Sequence, residues 1–471
     1  MSAFFCPKNI FFLLTKQMFR VNISTYVRNV SFKLKFWLVL GREEYNMERA
    51  AREYVSGKGV NRGRIVLHSD LNNFFASVEC KKRPELQDFP VAVCGRREDR
   101  HGIVLAKNEK AKKAGVKTAE AIWQAKKKCP HLVIVPPDYD EYVRYSAIVK
   151  NIYSCYSDRV ESFGMDEAWI ELTGDIRINT LSDGEKVAHK IRNRIKEETG
   201  LTVSIGVSDN KVFSKLASDY KKPDAVTVFG PFNYESIVSK IDIGEMLFVG
   251  RSARSKLHLF GLNTIGDISL TNEIFMKSIM GKNGMKIYHD ACGGNISPVC
   301  RIGERATETK SVGNSVTLPK DLENIDQVKR MIHLLSDKVA WRLRNDGFAC
   351  RTVCISVRDT SLVTTEKQCP VKRTSNSIEI AHAAIKLYEQ SYDITKPVRS
   401  MGVRCTCLVN TKEHVQLDLF DDKQEFRNKR EDIDAVIDKI RLKYGMKLIY
   451  PAAAMGTNTT LANHPAFSHG V

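Results

Sequence analysis

Three acidic residues stand where they could bind hard divalent cations. Asp70 ends the predicted buried strand Arg64–Asp70, and Asp166 and Glu167 are neighbours in a predicted turn between two short strands. Carboxylate oxygens are preferred ligands of Mg²⁺, and two such ions about 4 Å apart can activate an attacking oxygen and steady a leaving phosphate. The alternative is that all three acids are solvated turn residues.

The elements around these acids are predicted from hydrophobic periodicity and capping signals. The strands are Arg64–Asp70, Arg159–Gly164, Ala168–Leu172 and Leu201–Val207. The first helix, Asp140 to about Ser157, would place Tyr145, Ile148, Ile152 and Tyr156 on one face. The second would begin with Ser182 as its cap, with Glu185 completing a capping box, and end at Gly200.

This β-α-β-β-α-β order predicts an α+β, ferredoxin-like palm. In that topology the first strand runs antiparallel to the third, and the turn between the second and third strands lies where the first strand ends. Asp70 should therefore meet Asp166 and Glu167, although the two sites are distant in the chain.

Composition indicates a polyanionic partner. The 471 residues include 73 Lys and Arg against 55 Asp and Glu, a net charge of +18, and nucleic acid is the first candidate. A generally basic protein with no such partner is the alternative. The 12 cysteines show neither zinc spacing nor the density of a secreted disulfide scaffold, so reduced thiols and a cytoplasmic location are expected.

The first 63 residues have no readable compact pattern. Their apolar segments, such as Ile10–Leu14 and Phe36–Leu40, are too short for a membrane span, and no clean signal peptide is present. We expect either a poorly ordered extension or the product of a start codon placed too early, with Met47 as a later candidate. No membrane association is predicted.

Three runs in order resemble the Y-family, UmuC-type DNA polymerases. They are His68–Glu79, Ser162–Ala168 and Ser204–Ala217, the last followed by Lys222 and Pro223. The resemblance covers roughly residues 64 to 420. It implies a DNA-directed DNA polymerase of low fidelity that acts in lesion bypass on primer–template DNA and dNTPs.

The resemblance also implies roles for individual residues. Asp70, Asp166 and Glu167 would be catalytic, and with the carbonyl of Leu71 they would bind two Mg²⁺ ions. Phe75 would be the steric gate that excludes a ribose 2′-OH; read alone, it could be a core aromatic. Nucleotide binding would fall to Leu71, Phe74, Phe75, Lys107, Asn108, Lys112 and Lys222. Read alone, Lys222 would be a solvated cation before a turn proline.

The fingers segment departs from the commonest family pattern. Glu109 stands where Tyr is usual, and Lys112 where Arg is usual. Lysine keeps the positive charge but loses the planar fork of arginine, which puts triphosphate affinity in question. Lys107 could compensate, whereas Lys110 and Lys113 are compatible with a solvated basic helix face.

The implied fold is a right-hand polymerase with a ferredoxin-like palm, small fingers, a helical thumb and an α/β little finger. The predicted boundaries are an extension at 1–63, palm at 64–73 and 137–230, fingers at 74–136, thumb at 231–303, little finger at 304–410 and tail at 411–471. The thumb carries a helix-hairpin-helix pattern in which Gly250 and Arg251 would contact DNA phosphate, with Phe248 where Gly is commonest.

A second β-α-β-β-α-β pattern begins near Thr307. Its strands are predicted to end at Thr317 and to span Ala349–Arg358, Leu362–Val371 and Val398–Val409, and its helices to span Ile325–Asn345 and Ile378–Tyr392. This is the predicted little finger.

The peptide just beyond it resembles the motif with which bacterial proteins dock on the β sliding clamp. The apolar side chains of Leu417, Leu419 and Phe420 would bind the clamp, and the polar side chain of Gln416 would fix the register of the peptide. Asp418 lies between the two leucines. A buried strand is the alternative. We expect a monomer whose further partner is the clamp.

Two rival functions remain open from sequence. A nucleotidyl cyclase shares the palm and its carboxylates, but it needs neither the thumb hairpin nor a second α/β domain. A non-catalytic DNA-binding or clamp-binding factor fits the charge, but it does not require the three acids together.

Overall fold

The computed structural model describes residues 63–95, 102–175, 177–304, 309–411, 424–445, 448–449 and 451–452, without the side chains of 424–429 and 431. These residues divide into two compact units. The first draws on the chain up to Ser69, Trp169–Lys190 and Ser204–Pro298, and the second on Asp70–Ala168, Ile191–Val203 and the chain from Val299. Of the helices described, none combines the length and the apolar character needed to cross a lipid bilayer.

A five-stranded sheet carries the predicted palm strands. Its order is β5-β6-β1-β7-β8, with β1 at Val66–Leu71, β5 at Val160–Ser162, β6 at Glu167–Glu171, β7 at Val203–Ser208 and β8 at Val226–Val228. Every residue of β1 and β7 is buried, including the polar His68, Ser69 and Asp70 of β1. The four predicted palm strands correspond, in chain order, to β1, β5, β6 and β7. In the sheet they lie in the order second, third, first, fourth, which is the predicted ferredoxin-like arrangement.

Strands β1 and β6 run antiparallel. The Leu71 N–H donates to the Asp166 carbonyl at 3.0 Å, and at the other end the Leu172 N–H donates to the Ile65 carbonyl at 2.9 Å. In antiparallel pairs, residues at the end of one strand face the start of its partner. The end of β1 therefore lies beside the start of β6.

Helix α1, Phe74–Lys82, follows β1 directly after Asn73, whose φ of 50° turns the chain. The three-stranded sheet β3-β2-β4 comes next, with β2 at Val91–Cys94, β3 at Val104–Lys107 and β4 at Val133–Val135. Two short helices, α2 at Glu109–Lys113 and α3 at Ile122–Lys128, pack on it around a small apolar core that contains Ala92, Val104, Ala111 and Ala125.

Helix α4, Tyr139–Ser154, buries Tyr145 and Ile152 of the predicted face, but not the other two predicted residues. Its buried side chains are Tyr142, Tyr145, Ser146, Val149, Ile152 and Tyr153, whereas Ile148 and Tyr156 are half-buried. The true stripe starts one turn earlier, because Tyr142 packs against the aromatic rings of Phe74 and Phe75 on α1.

Helix α5, Leu181–Thr199, corrects the predicted cap. It begins before Ser182, and the Asp183 N–H instead donates to the Thr180 hydroxyl, which itself donates to the Asp183 carboxylate at 2.7 Å. Two capping signatures, Thr180–Asp183 and Ser182–Glu185, overlap in the sequence, and the earlier one is used. The predicted end at Gly200 is confirmed by its φ of +67°.

Helix α6, Lys211–Tyr220, packs closely on β7 in the first unit. Asn210 caps it by accepting from the Phe213 N–H at 2.8 Å. A Cβ on Gly206 of β7 would come within 1.9 Å of the Ser214 carbonyl oxygen. Only glycine therefore allows α6 to lie this close to the strand.

Four further helices follow in the first unit, as the sequence predicted for this region. They are α7 at Arg251–Leu259, α8 at Ile265–Ser269, α9 at Glu273–Met280 and α10 at Lys282–Ala291. Their core joins side chains of α6 with those of the new helices, including Phe213, Leu257, Ile265, Met276 and Ile287.

The second large sheet has the strand path β11-β10-β12-β9, with the short β13, Val409–Asn410, also paired with β10. Its strands are β9 at Ser311–Leu322, β10 at Phe348–Asp359, β11 at Thr364–Thr374 and β12 at Val398–Thr406. Helices α11, Ile325–Asn345, and α12, Ser377–Ser391, cover one face, with a core built around Leu335, Val339, Ile355, Ala384 and Val403. The second predicted β-α-β-β-α-β pattern is therefore confirmed.

The last described helix, α13 at Gln424–Tyr444, is held to this α/β layer by charged side chains. Arg344 of α11 pairs with Asp438 at 2.6 Å and with Asp434 at 3.4 Å, and Arg441 pairs with Asp337 at 2.7 Å. All five side chains are largely buried. Such a network ties α13 to α11 by specific geometry.

Candidate active site

The strand pairing brings the predicted catalytic acids to one edge of the sheet. Asp70 is the penultimate residue of β1 and is 6% exposed, whereas Asp166 and Glu167, at the start of β6, are half-buried. The 3.0 Å bond from the Leu71 N–H to the Asp166 carbonyl makes their backbones direct neighbours. The juxtaposition predicted from topology is present in the backbone.

The turn before Asp166 is held from two sides. On its own hairpin, the Phe163 N–H donates to the Glu167 carbonyl at 2.9 Å, and Gly164 has a φ of +143° that side-chain-bearing residues rarely adopt. From helix α4, Lys150 Nζ donates to the Gly164 carbonyl at 2.8 Å and the Ser146 hydroxyl donates to the Met165 carbonyl.

The carboxylates at this edge suit a Mg²⁺ ion whose coordination shell is completed by ligands from outside the protein. Among the described side chains, no group of three or more His, Cys, Asp or Glu residues is spaced to hold a metal ion by itself. Mg²⁺ commonly uses one or two carboxylates, with waters and substrate phosphates filling its remaining positions. A buried Asp70 beside the half-buried Asp166 and Glu167 fits that kind of site.

Lys150 lies within electrostatic reach of Asp166. Burial lowers the pKa of Lys150, and the carboxylate of Asp166 opposes that shift. Lys150 therefore brings positive charge close to a predicted metal ligand while its ammonium group is bound to the turn.

Phe75, the predicted steric gate, has a fixed orientation. Its ring stacks on Tyr142 with centroids 4.1 Å apart and planes 9° apart, and Tyr139 meets its edge. Tyr142 donates to Glu79 at 2.8 Å, and burial is the main cause that raises the pKa of this phenol. Phe74, by contrast, is 3% exposed and belongs to the core.

Asn108 is bound into the scaffold. Its side-chain oxygen accepts from the N–H groups of Val91 and Ala111, and its side-chain nitrogen donates to the Phe89 carbonyl at 2.8 Å. It therefore fixes the start of α2 against β2, and direct nucleotide binding by Asn108 stays a prediction.

Glu109, the unusual residue of the segment, links α2 to the end of the palm strand. Asn73 donates to Glu109 at 2.8 Å, and Lys112 Nζ lies 3.6 Å from the same carboxylate oxygen. The sequence showed the departure at Glu109 but not its contact with Asn73, because two residues 36 positions apart leave no local pattern.

Lys107 and Lys112 form a small positive group. Lys107 donates to the Thr118 hydroxyl at 2.9 Å. Burial, followed by the charge of Lys112, lowers the pKa of Lys107, whereas Glu109 and Glu120 oppose the shift. The charge of Lys112 thus acts on Lys107, which places two positive charges near each other, as binding of a triphosphate by both would require.

Lys222 lies in the first unit, just after α6. Its ammonium group pairs with Asp219 at 2.7 Å, and its side chain is 27% exposed. A partly exposed lysine in an exchangeable surface pair can still reach an anionic ligand. Its role in triphosphate contact stays a prediction.

The hairpin that precedes α7 shows why glycine is common at position 248. Phe248 has a φ of 70°, in the left-handed region, and its exposed ring lies under Lys286 Nζ at 3.9 Å from the centroid. Gly250 is the N-cap of α7 with open space around it, and Arg251 is exposed. The predicted phosphate contact is sterically accessible at this helix start.

The predicted clamp-binding peptide lies outside the described residues, as do residues 1–62. The peptide consists of Gln416, Leu417, Asp418, Leu419 and Phe420.

Every cysteine that the structure describes has a free thiol.

Two family models match the chain. Residues 69–219 match the impB/mucB/samB family, and residues 309–419 match the C-terminal domain of the same family. The first match contains Asp70, Asp166 and Glu167, and the second contains the sheet β9–β13.

Curated relatives match over most of their length. The chain is 45% identical to DNA polymerase IV of Acetivibrio thermocellus over 81% of this chain and 95% of the relative. It is 35% identical to DNA polymerase IV of Alkaliphilus oremlandii, covering 83% and 98%, and 34% identical to DNA polymerase IV 1 of Bacillus subtilis, covering 84% and 94%.

A solved structure shows the same fold. A chimera of the Y-family DNA polymerases Dbh and Dpo4 superposes with a TM-score of 0.65, at 23% identity, over 74% of this chain and 99% of the chimera. Together with the family models and the relatives, this confirms the predicted fold class: the chain belongs to the Y-family of DNA polymerases.

Proposed function

We propose that this DNA polymerase is a low-fidelity, template-directed enzyme of lesion bypass that transfers a nucleotidyl group from dNTP to a primer 3′-OH with two Mg²⁺ ions. The observation that carries the proposal is the antiparallel pairing of β1 with β6, which sets Asp70 beside Asp166 and Glu167 at one sheet edge. Family membership supplies the reaction class.

Asp70, Asp166 and Glu167 would bind the metal ions, and the carbonyl of Leu71 would add one ligand. When bound, the ions would activate the primer oxygen and stabilise the leaving pyrophosphate. The carboxylates stand on a rigid strand and at the start of its partner, so the protein sets their spacing before substrate arrives.

Nucleotide selection would depend on side chains already held in place. Phe75, stacked on Tyr142, would block a ribose 2′-OH. Lys107 and Lys112 would attract the triphosphate from the α2 side, and Lys222 would add a third positive charge. Leu71 and Asn108 would act through the backbone and scaffold around the nucleotide.

Low fidelity is supported by the size of the fingers. Two helices of this segment, α2 and α3, have only five and seven residues and pack on a three-stranded sheet. Short elements enclose little of a nascent base pair, and a site that closes little discriminates weakly between substrates.

The DNA contacts we propose are mainly electrostatic. Gly250 and Arg251 would bind backbone phosphate, and the net charge of +18 would make binding tolerant of sequence but sensitive to salt. We further propose docking on the bacterial β sliding clamp through Gln416–Phe420, action as a monomer, and a cytoplasmic location.

A direct experiment separates the candidate functions. The full chain is incubated with Mg²⁺ and dNTPs on primed templates, damaged and undamaged, and in parallel with nucleoside triphosphates alone. We expect template-dependent extension, including past lesions. A cyclic product from triphosphate alone would favour a cyclase, and DNA binding without any extension would favour a non-catalytic factor.

A further inference from the structure

We propose that Ser146 and Lys150 are positioning residues that hold the turn before Asp166 in the geometry needed for metal binding. The inference rests on the proposed function, because it concerns how this chain supports its metal-binding edge. Neither side chain is expected to touch substrate or metal.

The two residues bind the same turn from one face of α4. They stand four positions apart on α4, so they lie on the same helix face. The Ser146 hydroxyl donates to the Met165 carbonyl, and Lys150 Nζ donates to the Gly164 carbonyl at 2.8 Å. Two successive carbonyls of the turn, immediately before Asp166, are thus bound by one helix.

The helix that carries them is firmly anchored. Tyr142, Tyr145, Val149 and Ile152 of α4 are all buried, and α4 packs against α1, which begins four residues after Asp70. A displacement of α4 would therefore disturb both the Asp70 side and the Asp166 side. Because the buried face of α4 is closely packed in the core, the helix cannot move on its own, and it therefore holds the turn in place.

The turn needs this external support. Its Gly164 has a φ of +143°, and the hairpin strand β5 has only three residues. Without these two donors, the Gly164 and Met165 carbonyls would no longer be tied to α4, and the turn would be free to rearrange. Because Asp166 is the next residue, any such rearrangement moves its carboxylate.

Matched variants test the positioning role of Ser146 and Lys150. Ser146→Ala removes the hydroxyl, and Ser146→Thr retains it. Ser154→Ala is the control, because that serine is on the same helix but its hydroxyl donates to the Asn151 carbonyl of its own turn. Lys150→Met and Lys150→Arg form the corresponding pair for the second donor.

Three measurements are made on each full-length variant. The first is hydrogen exchange of the amides in residues 163–167. The second is Mn²⁺ binding, by electron paramagnetic resonance, to a complex with dideoxy-terminated primer–template and dNTP, in which no reaction occurs. The third is the single-nucleotide extension rate, with the melting temperature recorded alongside.

We expect Ser146→Ala and Lys150→Met to speed exchange in the turn and weaken Mn²⁺ binding several-fold. Extension should slow roughly tenfold or more, because a misplacement of about 1 Å at a reacting centre can cost a hundredfold. Ser146→Thr and Lys150→Arg should recover most of the loss, and Ser154→Ala should behave as the native chain does.

The positioning role would be overturned if Ser146→Ala lowered only the melting temperature, with turn exchange and Mn²⁺ affinity unchanged. It would equally be overturned if Ser146→Thr were no better than Ser146→Ala. If the native chain itself showed no extension, the proposed function would fail instead, so the two failures are distinguishable.

Discussion

The ring of Phe75 lies parallel to that of Tyr142, with centroids 4.1 Å apart, and Tyr142 in turn donates a hydrogen bond to Glu79. The proposed gate is thus one member of a packed stack between α1 and α4. Stacked aromatic pairs contribute about 0.5–1.5 kcal/mol beyond their buried area, which favours this orientation of the Phe75 ring.

Removing the gate ring should relax sugar selection. We expect Phe75→Ala to lower the preference for dNTP over rNTP by about 10- to 200-fold, the range that a single steric contact can supply. The measurement compares kcat/KM for dNTP and rNTP on one primed template. An unchanged ratio would remove the gate role from Phe75. Tyr142→Leu, which leaves Phe75 in place but removes the stack, should give a smaller relaxation.

The positive group on α2 should contribute to nucleotide binding. Lys112→Met should raise the KM for dNTP roughly tenfold, because a hydrogen bond to a charged group contributes about 1.5–3 kcal/mol. Lys113→Met is the matched control, since Lys113 is the next residue of the same helix and is exposed. Equal effects of the two changes would indicate general charge attraction rather than a specific contact.

The α11–α12 layer should be sensitive to acid through a histidine pair. His333 and His382 have ring centroids 6.4 Å apart, and burial, then the charge of His382, lowers the pKa of His333 below 6.5. The unfolded state therefore binds the proton first as pH falls. Stability from this site is full above about pH 6.5 and declines as pH drops through 6.5 toward the folded pKa.

Hydrogen exchange of the α11 and α12 amides, measured from about pH 7.5 to 5.5 and corrected for intrinsic exchange rates, checks this sign. Protection should fall with acidification in the native chain and less so in His333→Gln. His131→Gln, at an exposed histidine, is the control. Protection that rises on acidification would contradict the expected direction.

The proposed clamp peptide should affect only clamp-dependent synthesis. Replacing Leu417, Leu419 and Phe420 with alanine removes the apolar anchors of the motif. We expect lower extension in the presence of the β sliding clamp and unchanged extension without it. Equal losses in both reactions would point to a folding role for the peptide.

The sequence predicted the parts of this fold that depend on periodicity and order. Helix Ile325–Asn345 was predicted with the bounds that α11 has, and the palm topology followed from element order alone. The start of α5 was wrong because two capping signatures overlap at Thr180 and Ser182, and local sequence does not rank them.

The supporting contacts of the site could not be predicted. Ser146 and Lys150 bind backbone carbonyls, which every residue type offers, so no partner residue marks the interaction. Asn73 and Glu109 meet only because β1 and α2 are brought together by the fold. Side chains that support a site from a distance leave little trace in a single sequence.

The central claim is that Asp166 and Glu167 act with Asp70 in metal-dependent nucleotidyl transfer. Its most direct test is primer extension by Asp166→Ala and Glu167→Ala, with binding to the same primer–template measured in parallel. Asp175→Ala, at an acid just beyond β6 that pairs with Arg177, is the control. We predict a loss of about a hundredfold to a thousandfold or more in extension for the first two variants, with DNA binding and the control unaffected. Extension at the native rate by either variant would contradict the account.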